Sequence, residues 1–150
     1  MRPTLDYEYM PQKYDLCKNI SWEDLIQKIN NECDQQSHKL FVNERRESLI
    51  VLHNNFYPGS IQFAFDEVSL DCKVKILHIY TSFSQNAPTF GRHRDNVDVL
   101  IVQSFGKVRY KFDDGSIVEM NPGDAIYIPK GVYHNPMVFE PRITLSFSWI

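Results

Sequence analysis

Two short segments hold residue types that can do chemistry together. Gly91 to Val99 reads GRHRDNVDV and supplies His93 and Asp95, two positions apart. Pro122 to His134 reads PGDAIYIPKGVYH and supplies His134. Two imidazoles and one carboxylate, with the second histidine far downstream, are the ligand set of a 2-His-1-carboxylate face on iron(II). Such a face keeps coordination positions open for water, substrate or dioxygen. The same three side chains also suit zinc or manganese.

These ligands need elements that present them on one side. A His-x-Asp pair at the start of a strand puts both side chains on one face, because side chains alternate with period two. His134 follows the turn Pro129-Lys130-Gly131 and starts another strand. The period-two pattern predicts about ten short strands: Lys39–Asn43, Ser48–His53, Ile61–Phe65, Val74–Ser82, Val97–Ser104, Lys107–Phe112, Ser116–Met120, Ala125–Ile128, Asn135–Phe139 and Ile143–Trp149. Turn residues separate several of them, as in Tyr57-Pro58-Gly59, Asp113-Asp114-Gly115 and Asn121-Pro122-Gly123. Ahead of the strands, Ser21 reads as a helix N-cap with Asp24 reaching back to it. Leu25, Ile26 and Ile29 then fall at helical spacing, predicting a helix over Trp22–Gln35. Residues 1–19 read as an extended arm or packing segment.

Composition narrows the class. The chain has 150 residues, 43% hydrophobic and 23% charged, with ten Phe and eight Tyr. That suits one aromatic-rich β domain. The net charge is −3 with no dense basic run, so nothing in the composition supports nucleic-acid binding. Cys17, Cys33 and Cys72 are an odd, widely spaced set without CxxC. They read as free thiols in a reducing compartment. The first residues lack an apolar signal core and no apolar run approaches ~20 residues. The expectation is a cytoplasmic protein without membrane contact.

The second segment resembles the second cupin motif, G-x5-P-x-G-x2-H, at Gly123, Pro129, Gly131 and His134. The first, from His93 through Gln103 and followed by Gly106, resembles the first motif of the cupin-like and JmjC-like 2-oxoglutarate oxygenases, which carry HxD in place of HxH. Residues 141–147 resemble the last strand of that group, and the likeness runs over about residues 87–149. It implies an all-β jelly roll, a double-stranded β-helix with an N-terminal helix. Residues 1–150 would be one cupin-like domain, with the arm and helix in 1–38 and the β-helix core in 39–150. It further implies iron(II) on His93, Asp95 and His134, with 2-oxoglutarate as cosubstrate. Dioxygen and an unidentified substrate, a protein side chain or a small molecule, would be the other reactants. Succinate and carbon dioxide would form as a C–H bond is hydroxylated.

One position departs from the pattern. The group usually carries a basic residue two positions after the glycine matched by Gly106, to pair with the distal carboxylate of 2-oxoglutarate. Here that position is Val108. Lys107, Arg109 and Lys111 have the opposite parity, so they face away if Val108, Tyr110 and Phe112 face in. The last strand offers a substitute. Ile143, Leu145, Phe147 and Trp149 form an apolar row, while Arg142, Thr144, Ser146 and Ser148 form a polar row that can line a cavity. Arg142 is therefore the expected anchor, with Arg109 and Lys107 as fallbacks and Tyr80 as a second donor.

The remaining candidates carry plainer roles. His38 and His53 read as surface or satisfied core residues, whereas His78 shares parity with Tyr80 and can line the cavity. Asp98, on the opposite face from His93 and Asp95, reads as a residue that supports a ligand by hydrogen bonding or braces a hairpin, rather than as a fourth ligand. Asn86, Thr89, Arg92 and Arg94 sit in the polar loop before the ligands and could meet substrate or close the mouth. The missing basic residue at 108 leaves open a metal cupin of another class, a dioxygenase or isomerase without 2-oxoglutarate. A non-catalytic ligand-binding cupin is the third reading. Unprotected strand edges favour a homodimer.

Overall fold

Strict side-chain alternation builds the architecture. The chain is seen in a computed structural model that describes residues 7–53 and 56–150. The first six residues of the expected arm lie outside the described residues. In chain order the elements are β1 (Glu8–Met10), α1 (Trp22–Gln35), β2 (Lys39–Val42), β3 (Ser48–Leu52), α2 (Ser60–Cys72) and β4 (Ile76–Ser82). They continue with β5 (Val99–Phe105), β6 (Val108–Phe112), β7 (Ile117–Met120), β8 (Ala125–Ile128), β9 (His134–Val138) and β10 (Arg142–Ser148). A seven-stranded antiparallel sheet runs β1-β8-β5-β10-β4-β3-β2, and a three-stranded sheet runs β7-β6-β9. The architecture is mostly β with two helices, in the manner of a jelly roll.

The central strands of the large sheet are buried on both faces, and odd and even residues divide the work. Leu77 and Ile79 of β4, Leu100 and Val102 of β5, and Ile143, Leu145 and Phe147 of β10 pack with Leu25 of α1 and Ile61, Ala64 and Val68 of α2. Residues of opposite parity face the small sheet. There Val99, Ile101, Ile126 and Ile128 meet Val108, Tyr110, Phe112, Val118 and Met120. Full burial of one such side chain stabilises by roughly 1.5–3 kcal/mol, so both layers are needed to hold the sheets together.

Helix α1 starts at Ser21, whose hydroxyl accepts from the Asp24 amide at 3.1 Å. The Asp24 carboxylate keeps the expected hydrogen bond to Ser21, but its main partner is Ser60. It accepts from the amide (2.7 Å) and hydroxyl of Ser60. Asp24 thus ties the start of α2 to α1, and these bonds hold its carboxyl below the ordinary range despite partial desolvation.

The expected strand Ile61–Phe65 is instead the first part of α2. Ile61, Ala64 and Val68 are buried at helical spacing, while Phe63 is 62% exposed. On a strand Phe63 would share a face with Ile61 and Phe65, so the buried stripe has period 3.6, not two. A short apolar run satisfies both patterns, and the neighbouring residues settle it. The N-terminal arm in turn supplies a strand that periodicity missed. β1 pairs with β8, held by Asp124, whose carboxylate accepts from the Gln12 amide (2.8 Å) and the Tyr9 hydroxyl (2.9 Å).

Gly106, at φ +72°, turns β5 into β6 against the start of β10. A Cβ there would lie 2.0 Å from the Pro141 carbonyl oxygen. Gly106→Ala should therefore cost at least about 2 kcal/mol of stability in urea unfolding. An unchanged midpoint would mean that this close backbone approach is absent in solution.

Candidate metal centre and its cavity

The two candidate ligand segments are fastened by backbone before any ion is considered. The His93 amide donates to the His134 carbonyl at 2.9 Å, and the His134 amide donates back to the His93 carbonyl at 2.8 Å. The Gly131 amide donates to the Asp95 carbonyl at 3.0 Å. Gly131 has φ +83°, which closes the Pro129-Lys130-Gly131 turn just before His134. Asp98 supports the same turn, accepting from the Lys130 amide at 2.7 Å as a hairpin residue.

Contrary to expectation, His93 and Asp95 do not start a strand, since β5 begins only at Val99. They lie in an irregular segment whose one isolated β-bridge, among the described residues, joins His93 to His134. Alternation persists there nonetheless. Arg92, Arg94 and Asn96 are exposed, whereas His93, Asp95 and Val97 line the cavity.

Each imidazole is aimed by its other nitrogen. Nδ1 of His93 donates to the Gly91 carbonyl at 2.8 Å, and Nδ1 of His134 donates to the Val132 carbonyl at 3.0 Å. Both Nε2 atoms are left free to accept a metal, the arrangement that carbonyl partners impose on metal-binding histidines. Nε2 of His134 is 3.4 Å from Oδ2 of Asp95, and Nε2 of His93 is 3.9 Å from its Oδ1. One ligand atom from each residue lies within 4.8 Å of the others. Burial of His134, reinforced by neighbouring His93, lowers its basicity below the ordinary imidazole value. The neutral ring is the form that coordinates. The donor set, its spacing and its tautomers fit one divalent ion.

A cavity of about 390 Å³ opens on these residues, walled by Leu49, His78, Tyr80, Tyr110, Arg142 and Ser146 among others. Arg142 is 3% exposed. Its guanidinium donates to the hydroxyls of Thr144 (3.1 Å) and Ser82 (3.4 Å), and Thr144 passes the chain on to the Gln103 amide oxygen at 2.9 Å. No carboxylate pairs with Arg142 among the described residues. Burial lowers its basicity, yet a guanidinium stays charged, so a buried cation here calls for an anion that the described residues do not supply.

Two phenols stand between this cation and the carboxylate of Asp95. The Arg142 guanidinium lies 5.9 Å from the Tyr80 ring, and the Tyr110 ring lies 6.4 Å from His134. Burial chiefly, and Asp95 in addition, raise both hydroxyls above the ordinary phenol value. Both are therefore protonated donors at neutral pH. Tyr110 was legible only as an inward residue of β6, because nothing in its flanking sequence marks a role.

Other candidates fall outside the cavity. Arg109, a fallback anchor, is exposed on β6, with Nε 3.1 Å from Glu119 and its guanidinium over Phe139. Lys107 is likewise exposed, because Val108, Tyr110 and Phe112 take the inward parity. Of the four loop residues expected to meet substrate, only Thr89 lines the cavity. Arg92 is held bidentately by Asp113 at 2.6 and 2.8 Å and stacks on Tyr133. Arg94 lies over the same ring, and Asn86 is bonded to the β2–β3 hairpin. His53 is satisfied by buried Glu32, while His78 reaches the cavity and packs edge-on against His53.

No protein-family model matches this chain. Among curated proteins it is similar to a probable ribosomal oxygenase of Haemophilus influenzae, 30% identical over 93 residues, which are 47% of this chain and 23% of the relative. Among solved structures, the Escherichia coli ribosomal oxygenase YcfD in complex with cobalt and 2-oxoglutarate superposes with a TM-score of 0.68 at 18% identity. The match covers 96% of this chain and 48% of YcfD. A Pseudomonas putida prolyl-4-hydroxylase superposes with a TM-score of 0.58 at 11% identity, covering 96% and 92% of the two chains. The chain has the cupin-like fold of these oxygenases. It spans about half the length of the YcfD structures and under a quarter of the curated relative.

His78 gives the cavity wall a pH signature. Burial, and then neighbouring His53, lower its folded-state basicity below the ordinary value of 6.5. The unfolded chain therefore binds that proton first, and stability is lost as pH falls through 6.5 towards the lowered value. In metal-free protein His78→Phe should make this loss shallower, read from urea unfolding at pH 7.5 and 5.5 under matched ionic strength. Equal slopes for both proteins would refute it.

Proposed function

We propose that this chain is an Fe(II)- and 2-oxoglutarate-dependent oxygenase of the hydroxylase type. The observation that carries it is the pairing, across one cavity, of the His93, Asp95 and His134 cluster with an uncompensated buried guanidinium at Arg142. The first fits a redox metal with open positions. The second fits a carboxylate that must come from a bound molecule. The likeness to ribosomal oxygenases supports the same reading, as does the YcfD complex with cobalt and 2-oxoglutarate. On this reading the two sheets are the halves of a double-stranded β-helix, and residues 1–150 act as one cupin-like domain.

The roles follow from position. His93, Asp95 and His134 hold the iron on one side. Arg142 takes the distal carboxylate of 2-oxoglutarate, with Tyr80 as a neighbouring hydroxyl donor. Iron bound there would supply the redox chemistry that couples decarboxylation of 2-oxoglutarate by dioxygen to C–H hydroxylation. The chain supplies position and dryness: Val99, Ile101 and Tyr110 wall the cavity and limit water near the oxidant.

The substrate follows more coarsely. Two of the named relatives are ribosomal oxygenases, and we take a polypeptide side chain, of a ribosomal protein, as the substrate class. Cys17, Cys33 and Cys72 are free thiols, in keeping with a cytoplasmic setting. Among the described residues no helix is long and apolar enough to cross a membrane.

Anaerobic protein given iron(II) and 2-oxoglutarate should develop a weak visible charge-transfer band, and air should then yield succinate. Arg142→Ala should keep iron but weaken 2-oxoglutarate binding by about tenfold or more, the worth of a charge-assisted pair. A wild-type protein that binds iron without the band or succinate would overturn the cosubstrate. In a separate measurement, His93→Ala should lose at least about tenfold in iron affinity, and an unchanged value would remove His93 from the ligand set.

A further inference from the structure

The large sheet ends in an edge that nothing in the oxygenase reading uses. Strand β2 (Lys39–Val42) pairs with β3 on one side, and among the described residues no strand pairs with its other side. All four of its residues are exposed, and three are large apolar side chains, Leu40, Phe41 and Val42. Edges of this kind normally carry charge, proline or a bulge to prevent pairing. This one has a single Lys, at its far end, and no proline.

The register shows what the edge offers. The Asn43 amide donates to the Glu47 carbonyl at 3.1 Å. Alternation along an antiparallel pair then puts Phe41 opposite Leu49, and Lys39 opposite Val51, in the bonded positions. Leu40 and Val42 point their amides and carbonyls outward, and those groups accept one kind of partner, an extended polypeptide backbone.

The side chains connect that edge to the chemistry. Phe41 pairs with Leu49, which lines the cavity, so Phe41 lies on the cavity face of the sheet. Its ring stands 5.4 Å from Phe90, and Phe90 stands 5.8 Å from His93 and 5.7 Å from Tyr80. Phe90 is 44% exposed and itself lines the cavity. An apolar ramp thus leads from the open edge to a candidate iron ligand, and about three extended residues span it.

We propose that the open edge of β2 is the docking strand for an extended polypeptide substrate, which adds to the sheet there and continues over Phe90 into the metal cavity. This assignment rests on the oxygenase reading above and names how its substrate is held. Main-chain bonds to Leu40 and Val42 would give affinity, and the apolar steps Phe41 and Phe90 would give direction. Self-pairing does not explain the edge. Two four-residue strands meet over about 13 Å, too little to reach the ~1,200 Å² that a stable interface buries.

The test uses overlapping synthetic peptides that tile the ribosomal proteins, added to the full chain carrying zinc and 2-oxoglutarate so that no turnover occurs. Peptides that bind should protect the amides of Leu40 and Val42 from hydrogen exchange. Leu40→Pro removes an outward amide not used by β3, and Phe41→Lys breaks the ramp. Each should weaken peptide binding about tenfold or more. Both variants should keep the iron(II)–2-oxoglutarate band, which reports the oxygenase reading independently. The proposal is overturned if bound peptides leave both amides unprotected, or if no tiled peptide binds. It is also overturned if sedimentation shows that the edge serves a dimer of this chain, one lost in Leu40→Pro without any peptide. Absence of the band in wild type would instead strike the oxygenase reading itself.

Discussion

The structure depends on the alternation of one strand. β10 lies in the middle of the large sheet, paired with β4 along its whole length and with β5 along most of it. Its odd residues, Ile143, Leu145 and Phe147, join the helix layer, and its even residues, Arg142, Ser146 and Ser148, line the cavity. A slip of one residue would bury a guanidinium under α2 and turn Phe147 into the cavity. Fold and site are therefore set by the same register. The single irregularity, between Ile143 and Thr144, falls beside Arg142.

A second constraint acts where the strands end. The candidate ligands lie on irregular backbone, yet reciprocal amide bonds between His93 and His134 hold them together without an ion. Carbonyls of Gly91 and Val132 fix each ring. A site organised in this way spends little ordering entropy on binding its ion, because the backbone has already been ordered by folding. Asp113 and Tyr133 grip the neighbouring Arg92 and so link the ligand loop to the β6–β7 turn.

Electrostatics then divides the cavity. One end carries Asp95 between two imidazoles, and the other carries Arg142 among neutral hydroxyls, with Tyr80 and Tyr110 between. Burying an unpaired charge is costly, so the residues around Arg142 are arranged for a partner that the described residues do not provide. Thr144, Ser82 and Gln103 orient the guanidinium but do not neutralise it. That separates Arg142 from Arg109, which has its acid, Glu119, and faces solvent.

Much of this was legible in order along the chain. His-x-Asp, the Pro-x-Gly turn before His134, the Val108 vacancy and the two-faced pattern of β10 are local signals, because turns and period two are written in neighbouring residues. The α2 helix was not legible. Ile61, Phe63 and Phe65 satisfy a strand pattern, and only the packing of Ala64 and Val68 beneath the sheet selects period 3.6. Nor was β1, whose three residues carry no strong pattern and are held by distant Asp124. The sequence by itself determined which residue types are available and, on the strands flanking the cavity, which face each takes. Tertiary structure alone decided that His93 is bridged to His134, that Arg142 meets no acid among the described residues, and that Tyr110 joins them. Those facts depend on which elements meet across long loops, and neighbouring residues carry no record of that.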